Sequence, residues 1–489
     1  MDTTIRLTVS QHKYLPAGVG ARDLHAVATV EVSGADGAAP GPALAEILAV
    51  DCSSSMDRPP EKFRAAKSAA VAALQLLPDG TPFAVIAGNH EAATAYPPTA
   101  YPPTAYPPTG RPPTAGGGLA VADATTRAEA TAAVHGLVAA GGTCLGHWLD
   151  LARRLLAGQP APVRHVLMLT DGRNEHDRFR PLAGVLADCA GQFVCDAWGI
   201  GQDWDGRLLL RVAEALHGSA DAVRAEPELV AAYEALVRGL LTKAVPELTL
   251  TVGALPPGAR LRYVKQTFPT ERALTAEPGE PGAFVTRAWG NELRRFHLCL
   301  TLDPAEDARG EDLLAAEVAV RVPEDSGAAP PDPQPLMVHW TDDPVLSALT
   351  DAQVVHAQVW EELGNAVADA TDAYHRGRPD AATALLGRAV ALAHQAGARR
   401  QLDELRRLVE VHDAATGDVT LRPAVNPVDF QHLITAGSHT TRGPAAGPAR
   451  AAVPRPAGDL VPCPRCTHRY PAQSAFCGNC GAPMEAATP

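Results

Sequence analysis

Five oxygen-bearing side chains occur in three separate segments: Asp51, Ser53 and Ser55 in Val50-Asp51-Cys52-Ser53-Ser54-Ser55, Thr143 in Gly141-Gly142-Thr143, and Asp171 in Thr170-Asp171-Gly172. Hydroxyls and carboxylates suit a small hard cation such as magnesium, which takes near-octahedral oxygen ligands and usually keeps several waters. Five side chains with two carboxylates supply part of such a shell and leave a position open, where an acidic residue of a partner could bind. Capping by the same residues is the bland alternative, because Ser and Asp are ordinary loop and helix-start residues.

The elements around these segments decide between the two. Glu46-Ile47-Leu48-Ala49-Val50 and His165-Val166-Leu167-Met168-Leu169 are short apolar runs that predict strands buried on both faces. Helical spacing follows each loop, with Phe63, Ala66, Ala70, Ala73 and Leu77 in one helix and Leu145 to Leu156 in another. Alternation of this kind places the loops on the carboxyl edge of a parallel, doubly wound, Rossmann-like sheet, where open α/β folds bind ligands.

In this order and setting, Asp51-x-Ser53-x-Ser55, Thr143 and Asp171-Gly172 resemble the metal-ion-dependent adhesion site of the von Willebrand factor A (VWA) domain family, over residues 43–243. The resemblance implies that Ser53 and Ser55 bind magnesium, or another divalent cation, directly. It implies that Thr143, Asp51 and Asp171 bind it directly or through water, and that a partner's Asp or Glu completes the shell. Cys52 fills a variable position of the motif, and a thiol has no evident use for magnesium.

A second metal pattern closes the chain. Cys463, Cys466, Cys477 and Cys480 form two Cys-x-x-Cys knuckles, a set that fits tetrahedral structural zinc and is similar to a small zinc ribbon over 460–484. Four cysteines fill that shell, so His468 is not needed. The other five, Cys52, Cys144, Cys189, Cys195 and Cys299, lie in or beside apolar segments and are expected to pack as small hydrophobes.

At 489 residues the chain calls for several domains. Alternating runs in 1–42 and again in 244–341 predict the strands of a flanking β-sandwich, with the α/β domain inserted between them. Residues 342–415 have helical periodicity, and 416–459 are rich in Pro, Ala, Gly and Arg and read as a flexible linker. Between 94 and 115 a Thr-Ala-Tyr-Pro-Pro unit repeats, which predicts an extended, polyproline-like excursion: a tandem expansion in a surface loop, or a ligand for a proline-binding module.

No apolar run of membrane-spanning length occurs, and the first residues lack a secretory pattern, so a cytoplasmic address is expected. A formal net charge of -13 argues against nucleic acid as partner of the whole molecule, although the segment from Leu421 onward carries an excess of arginine. No phosphate loop, serine elbow or Cys-His pair stands out. The sequence therefore predicts a non-enzymatic protein-binding or scaffold protein. The alternatives are metal-dependent hydrolysis at the same cation, with His90, His147 or His176 as base, and nucleic-acid binding through the ribbon.

Overall fold

The computed structural model describes residues 3–18, 20–35, 44–98, 118–178, 180–224, 226–323, 327–444, 460–462 and 469–471. Its first strands are β1 (Thr4–Gln11), β2 (Tyr14–Pro16) and β3 (Arg22–Ser33). An α/β unit follows: β4 (Leu44–Asp51), α1 (Pro60–Leu76), β5 (Pro82–Gly88), β6 (Ala93–Tyr96), β7 (Ala120–Val121), α2 (Ala124–His135), α3 (Leu145–Leu156) and β8 (Val163–Thr170). It continues through α4 (Leu182–Cys189), β9 (Val194–Ile200), α5 (Gly206–Ala215), β10 (Ala220–Val223) and α6 (Glu226–Leu241).

The central sheet runs β10-β9-β8-β4-β5-β6, with β7 also on β5. Strands β10, β9, β8, β4 and β5 are mutually parallel, while β6 and β7 join antiparallel. Every residue of β4 is buried, because its side chains alternate between two cores: Ala45, Ile47 and Ala49 pack toward α3, α4 and α5, and Leu48 and Val50 toward α1, α2 and α6. Burial on both faces is what the continuous apolar runs require.

After α6 come β11 (Val245–Gly253), β12 (Arg260–Phe268), β13 (Arg272–Ala273), β14 (Ala283–Trp289), β15 (Glu292–Leu302), β16 (Asp312–Arg321) and β17 (Gln334–Thr341). They form two five-stranded sheets, β1-β3-β15-β12-β13 and β14-β11-β16-β17-β2. Antiparallel pairing of β3 with β15, from Val32 opposite Glu292 to Arg22 opposite Leu302, brings chain from before the α/β unit onto chain from after it. Leu24, Ala26, Ala28 and Val30 share one core with Leu298, Leu300, Val318 and Val338.

Helices α7 (Pro344–Ser347), α8 (Ala352–His375), α9 (Pro379–Gln395) and α10 (Arg399–Leu408) lead into a hairpin of β18 (Val409–Asp413) and β19 (Asp418–Leu421). Here the structure corrects the sequence. The segment expected to be a linker from 416 carries β19 and then α11 (Pro427–Gly437), opened by Pro427 in the first turn and by the Asn426 side chain, which accepts from the Val428 amide. Phe430 and Leu433 are fully buried in the core of α8, α9 and α10. Proline at the first helical position costs no hydrogen bond, so it starts this helix where composition alone suggests disorder. Gln431 Oε1 accepts from the Gly206 amide at 2.8 Å, and Arg224 ion-pairs with Glu404 and Asp429, fastening α11 to the α/β unit.

The Tyr-Pro-Pro repeat is corrected in part. Its beginning, Ala93–Tyr96, is a strand paired with β5, with the Tyr96 ring stacked on Phe83 and its hydroxyl donating to Glu129 at 2.8 Å. Residues 99–117 lie outside the described residues, as do Cys463, Cys466, Cys477 and Cys480. Among the described residues no helix is long and apolar enough to cross a membrane.

Candidate metal centre

Strand β4 ends at Asp51 and β8 at Thr170, so parallel pairing delivers Asp51 and Asp171 to the same sheet edge. Backbone bonds stitch the neighbouring loops to them. The Ser54 amide donates to Gly141 O at 2.9 Å, the Ala140 amide to Cys52 O at 2.7 Å, and the Cys52 amide to Gly88 O at 2.6 Å. The glycines are required by close approach. A Cβ on Gly142 would lie 2.0 Å from Cε1 of His176, and one on Gly172 would lie 2.9 Å from the Thr143 hydroxyl and 3.9 Å from Asp51 Oδ2.

The five expected side chains converge. Ser53 Oγ lies 3.0 Å from Ser55 Oγ, and Ser55 Oγ donates to Asp171 Oδ1 at 2.8 Å. Two ligands at right angles around a cation with bonds near 2.1 Å are separated by about 3.0 Å. The oxygen spacings therefore fit the edge of a magnesium octahedron. Asp51 Oδ1 accepts from the Ser53 amide at 2.7 Å and its Oδ2 from the Thr170 hydroxyl at 2.6 Å. Ser53, Ser55 and Thr143 line one cleft of about 410 Å³, together with Gly172, Arg173 and Asp203.

Burial, reinforced by the nearby Asp171 carboxylate, pushes the Asp51 carboxyl up to about 6. Two carboxylates enclosed this closely favour a cation between them.

Two contributors escape the sequence reading. Thr170 holds Asp51 from behind. Lys62, only 2% exposed in the first turn of α1, forms an ion pair with Asp171 Oδ2, an oxygen with no other hydrogen-bond partner. Position 62 shares a helical stripe with the buried Ala66, Ala69 and Ala73. That stripe places its stem among buried alanines without telling where its head ends.

The loop after Asp171 is tied down. Asn174 is committed to structure, its Oδ1 accepting from the Leu145 amide at the start of α3 and its Nδ2 donating to Asp177. His147 Nδ1 bonds the His90 carbonyl at 2.6 Å, and the His90 and His176 rings lie 5.8 Å apart beside Gly141 and Gly142. All three imidazoles are only partly buried. Cys52, Cys144, Cys189, Cys195 and Cys299 are buried free thiols, and burial pushes Cys52 up to about 12.

Comparison with known proteins shows the family and the fold. The sequence profile of the von Willebrand factor type A domain matches residues 46–222. A solved structure, von Willebrand factor type A from Catenulispora acidiphila, is 32% identical, covers 90% of this chain and 98% of its own, and superposes with a TM-score of 0.78. VWA2, the ArnB paralog of Sulfolobus acidocaldarius, shares the fold at 12% identity, covering 89% of this chain and 100% of its own, with a TM-score of 0.50. An uncharacterized protein of Synechocystis sp. is 27% identical over 237 residues, and the match spans 47% of this chain and 50% of that relative.

Proposed function

Because this chain belongs to the von Willebrand factor type A family, we propose that its rim cleft holds a divalent cation and uses it to grip an acidic side chain of a protein partner. Ser53, Ser55 and Thr143 would present hydroxyl ligands, while Asp51 and Asp171 would supply the charge directly or through water. The cation, magnesium in this reading, contributes an electrophile for a carboxylate. The single observation that carries the proposal is the meeting of the Ser53, Ser55 and Asp171 oxygens at octahedral edge spacing, beside a cleft that Thr143 of a third loop also lines.

Lys62 neutralises the far oxygen of Asp171 from behind. That leaves the two aspartates offering less net negative charge to a bound cation, which keeps more of its own charge for a partner's carboxylate. We read the function as binding and scaffolding, and we place it in the cytoplasm on the sequence features alone.

A pull-down tests this, comparing wild type with the Asp51→Ala, Ser53→Ala double variant in magnesium and in chelator. Partners should be retained only by wild type with magnesium, and equal retention in all four arms sinks the proposal. We further read the two five-stranded sheets as one sandwich carrying the α/β unit as an insertion, which their shared core supports. For Cys463, Cys466, Cys477 and Cys480 we propose one structural zinc from their spacing, which elemental analysis of wild type and of a Cys463→Ser variant would check.

A further inference from the structure

The starts of β9 and β10 lie at the end of the central sheet opposite the rim cleft, and there a cavity of about 280 Å³ opens at the seam between the α/β unit and the two five-stranded sheets. Four cationic side chains line it, Lys243, Arg272, Arg287 and Arg294, against two carboxylates, Asp196 and Glu292. Lys243 and Arg294 share Glu292, each at 2.6 Å. Arg287 donates from Nη1 to Glu247 at 2.5 Å. Asp196 is taken by His165 and Ser219.

Arg272 differs from the other three. It is 3% exposed, yet among the described residues no carboxylate lies within ion-pairing distance of it. Its Nη2 donates to Gln266 Oε1 at 3.1 Å, while its Nε and Nη1 have no partner. Glu214, which lines an adjoining small cavity with it, acts on it from beyond ion-pairing distance. Arg287 Nε and His217 Nδ1 at the same cavity also lack partners. A buried guanidinium without a counter-charge is heavily penalised, and folded proteins keep unpaired buried donors only where something else compensates.

We propose that this seam cavity binds a small phosphomonoester, whose phosphoryl oxygens are received by Arg272 and Arg287. Arg272 lacks a counter-charge, and Lys243 and Arg294 share the one carboxylate of Glu292, so the wall stays positive even with Glu247 offsetting Arg287; that suits an anion, and a guanidinium fork matches the spacing of phosphoryl oxygens. Leu236, Leu240 and Ala288 offer apolar surface for a short organic body. Burial, together with the three arginines, pushes the His217 imidazole down to about 3, so it is neutral and able to direct an N–H at a bound oxygen. Because the cavity is walled by β9 and α6 on one side and by β12, β13 and β14 on the other, the ligand ties the α/β unit to the sheets.

The full chain can be tested with phenyl phosphate as probe, inorganic phosphate as the bodiless anion and phenol as the neutral body, by calorimetric titration and thermal melting. Phenyl phosphate should bind saturably and raise the melting temperature. Arg272→Gln and, separately, Arg287→Gln should each weaken it about ten-fold or more, the scale of one charge-assisted bond. Phenol should be inert, and the Asp51→Ala, Ser53→Ala rim variant should bind the probe like wild type. Without ligand, Arg272→Gln should melt no lower than wild type, since it removes an uncompensated charge. No saturable binding by wild type, or binding unchanged in both arginine variants, overturns the proposal. So does a ligand-free Arg272→Gln that folds but melts lower than wild type, which would mark Arg272 as structural. If Arg272→Gln does not fold, Arg287→Gln alone decides.

Discussion

His165 stands in β8 between two carboxylates, and replacing it by glutamine is the sharpest test of how the core of the α/β unit is held. Its Nδ1 is 2.9 Å from both Glu46 oxygens and its Nε2 is 3.1 Å from Asp196 Oδ2, with Glu46 and His165 fully buried. Burial pulls the imidazole's pKa down, but the two carboxylates outweigh it and hold the group up at about 10. Asp196 is held below the ordinary carboxylate range, because His165 and Ser219 outweigh its burial. A rise from 6.5 to about 10 corresponds to about 5 kcal/mol. Removing one partner of a buried ion pair costs about 3–5 kcal/mol by itself.

His165→Gln should therefore lose about 3–5 kcal/mol at pH 7, or roughly 10 °C in melting temperature. The sign of the pH dependence follows from the raised pKa. The contribution of His165 is complete below about pH 6.5 and is lost as pH climbs toward about 10, so the gap between wild type and variant should narrow from pH 7 to pH 10. Urea unfolding at both pH values measures it. A loss under about 1 kcal/mol at pH 7, or a gap that does not narrow, refutes a charged imidazole in this core.

Two further substitutions probe the site and its scaffold. Lys62→Met strips Asp171 Oδ2 of its partner and should destabilise the chelated protein by about 3–5 kcal/mol, with part of the loss recovered in magnesium and the cation bound more tightly than by wild type. Melting curves with magnesium and with chelator report this, and a variant as stable as wild type in chelator would show that Lys62 is not a counter-charge. Phe430→Ala empties a fully buried site and should cost about 3–5 kcal/mol in urea unfolding, whereas a residue on a flexible tether would be silent.

The ligand motifs were legible because their constraint is local. A cation needs oxygens from short loops, and two of the three follow apolar runs, Glu46–Val50 and His165–Leu169, that form buried strands, so chemistry and element were read from the same few residues, whereas the Thr143 loop follows helix α2. The alternating runs before Leu44 and after Leu241 likewise announced strands. The lateral order of the central sheet was not available, since each strand is apolar on both faces and nothing in it names its neighbours. Helix α11 was hidden for a different reason: the surrounding Pro, Ala, Gly and Arg dominate any window, while the cap at Asn426 and the apolar positions Val428, Phe430 and Leu433 are few.

Buried charges were the least legible class, and the cause is physical. Whether Lys62, His165 or Arg272 ends in water or in the core depends on what the fold sets opposite it, and those partners are remote in sequence: Glu46 and His165 stand 119 positions apart. A lysine on an alanine stripe can snorkel to solvent or reach a carboxylate, and helical periodicity is the same in both cases. Pairing also explains where function separates from stability. His165 and Lys62 have their counter-charges within the chain, so their removal should register as lost stability in the absence of any ligand. Arg272 has no such partner among the described residues, and its removal should register only when an anion is supplied.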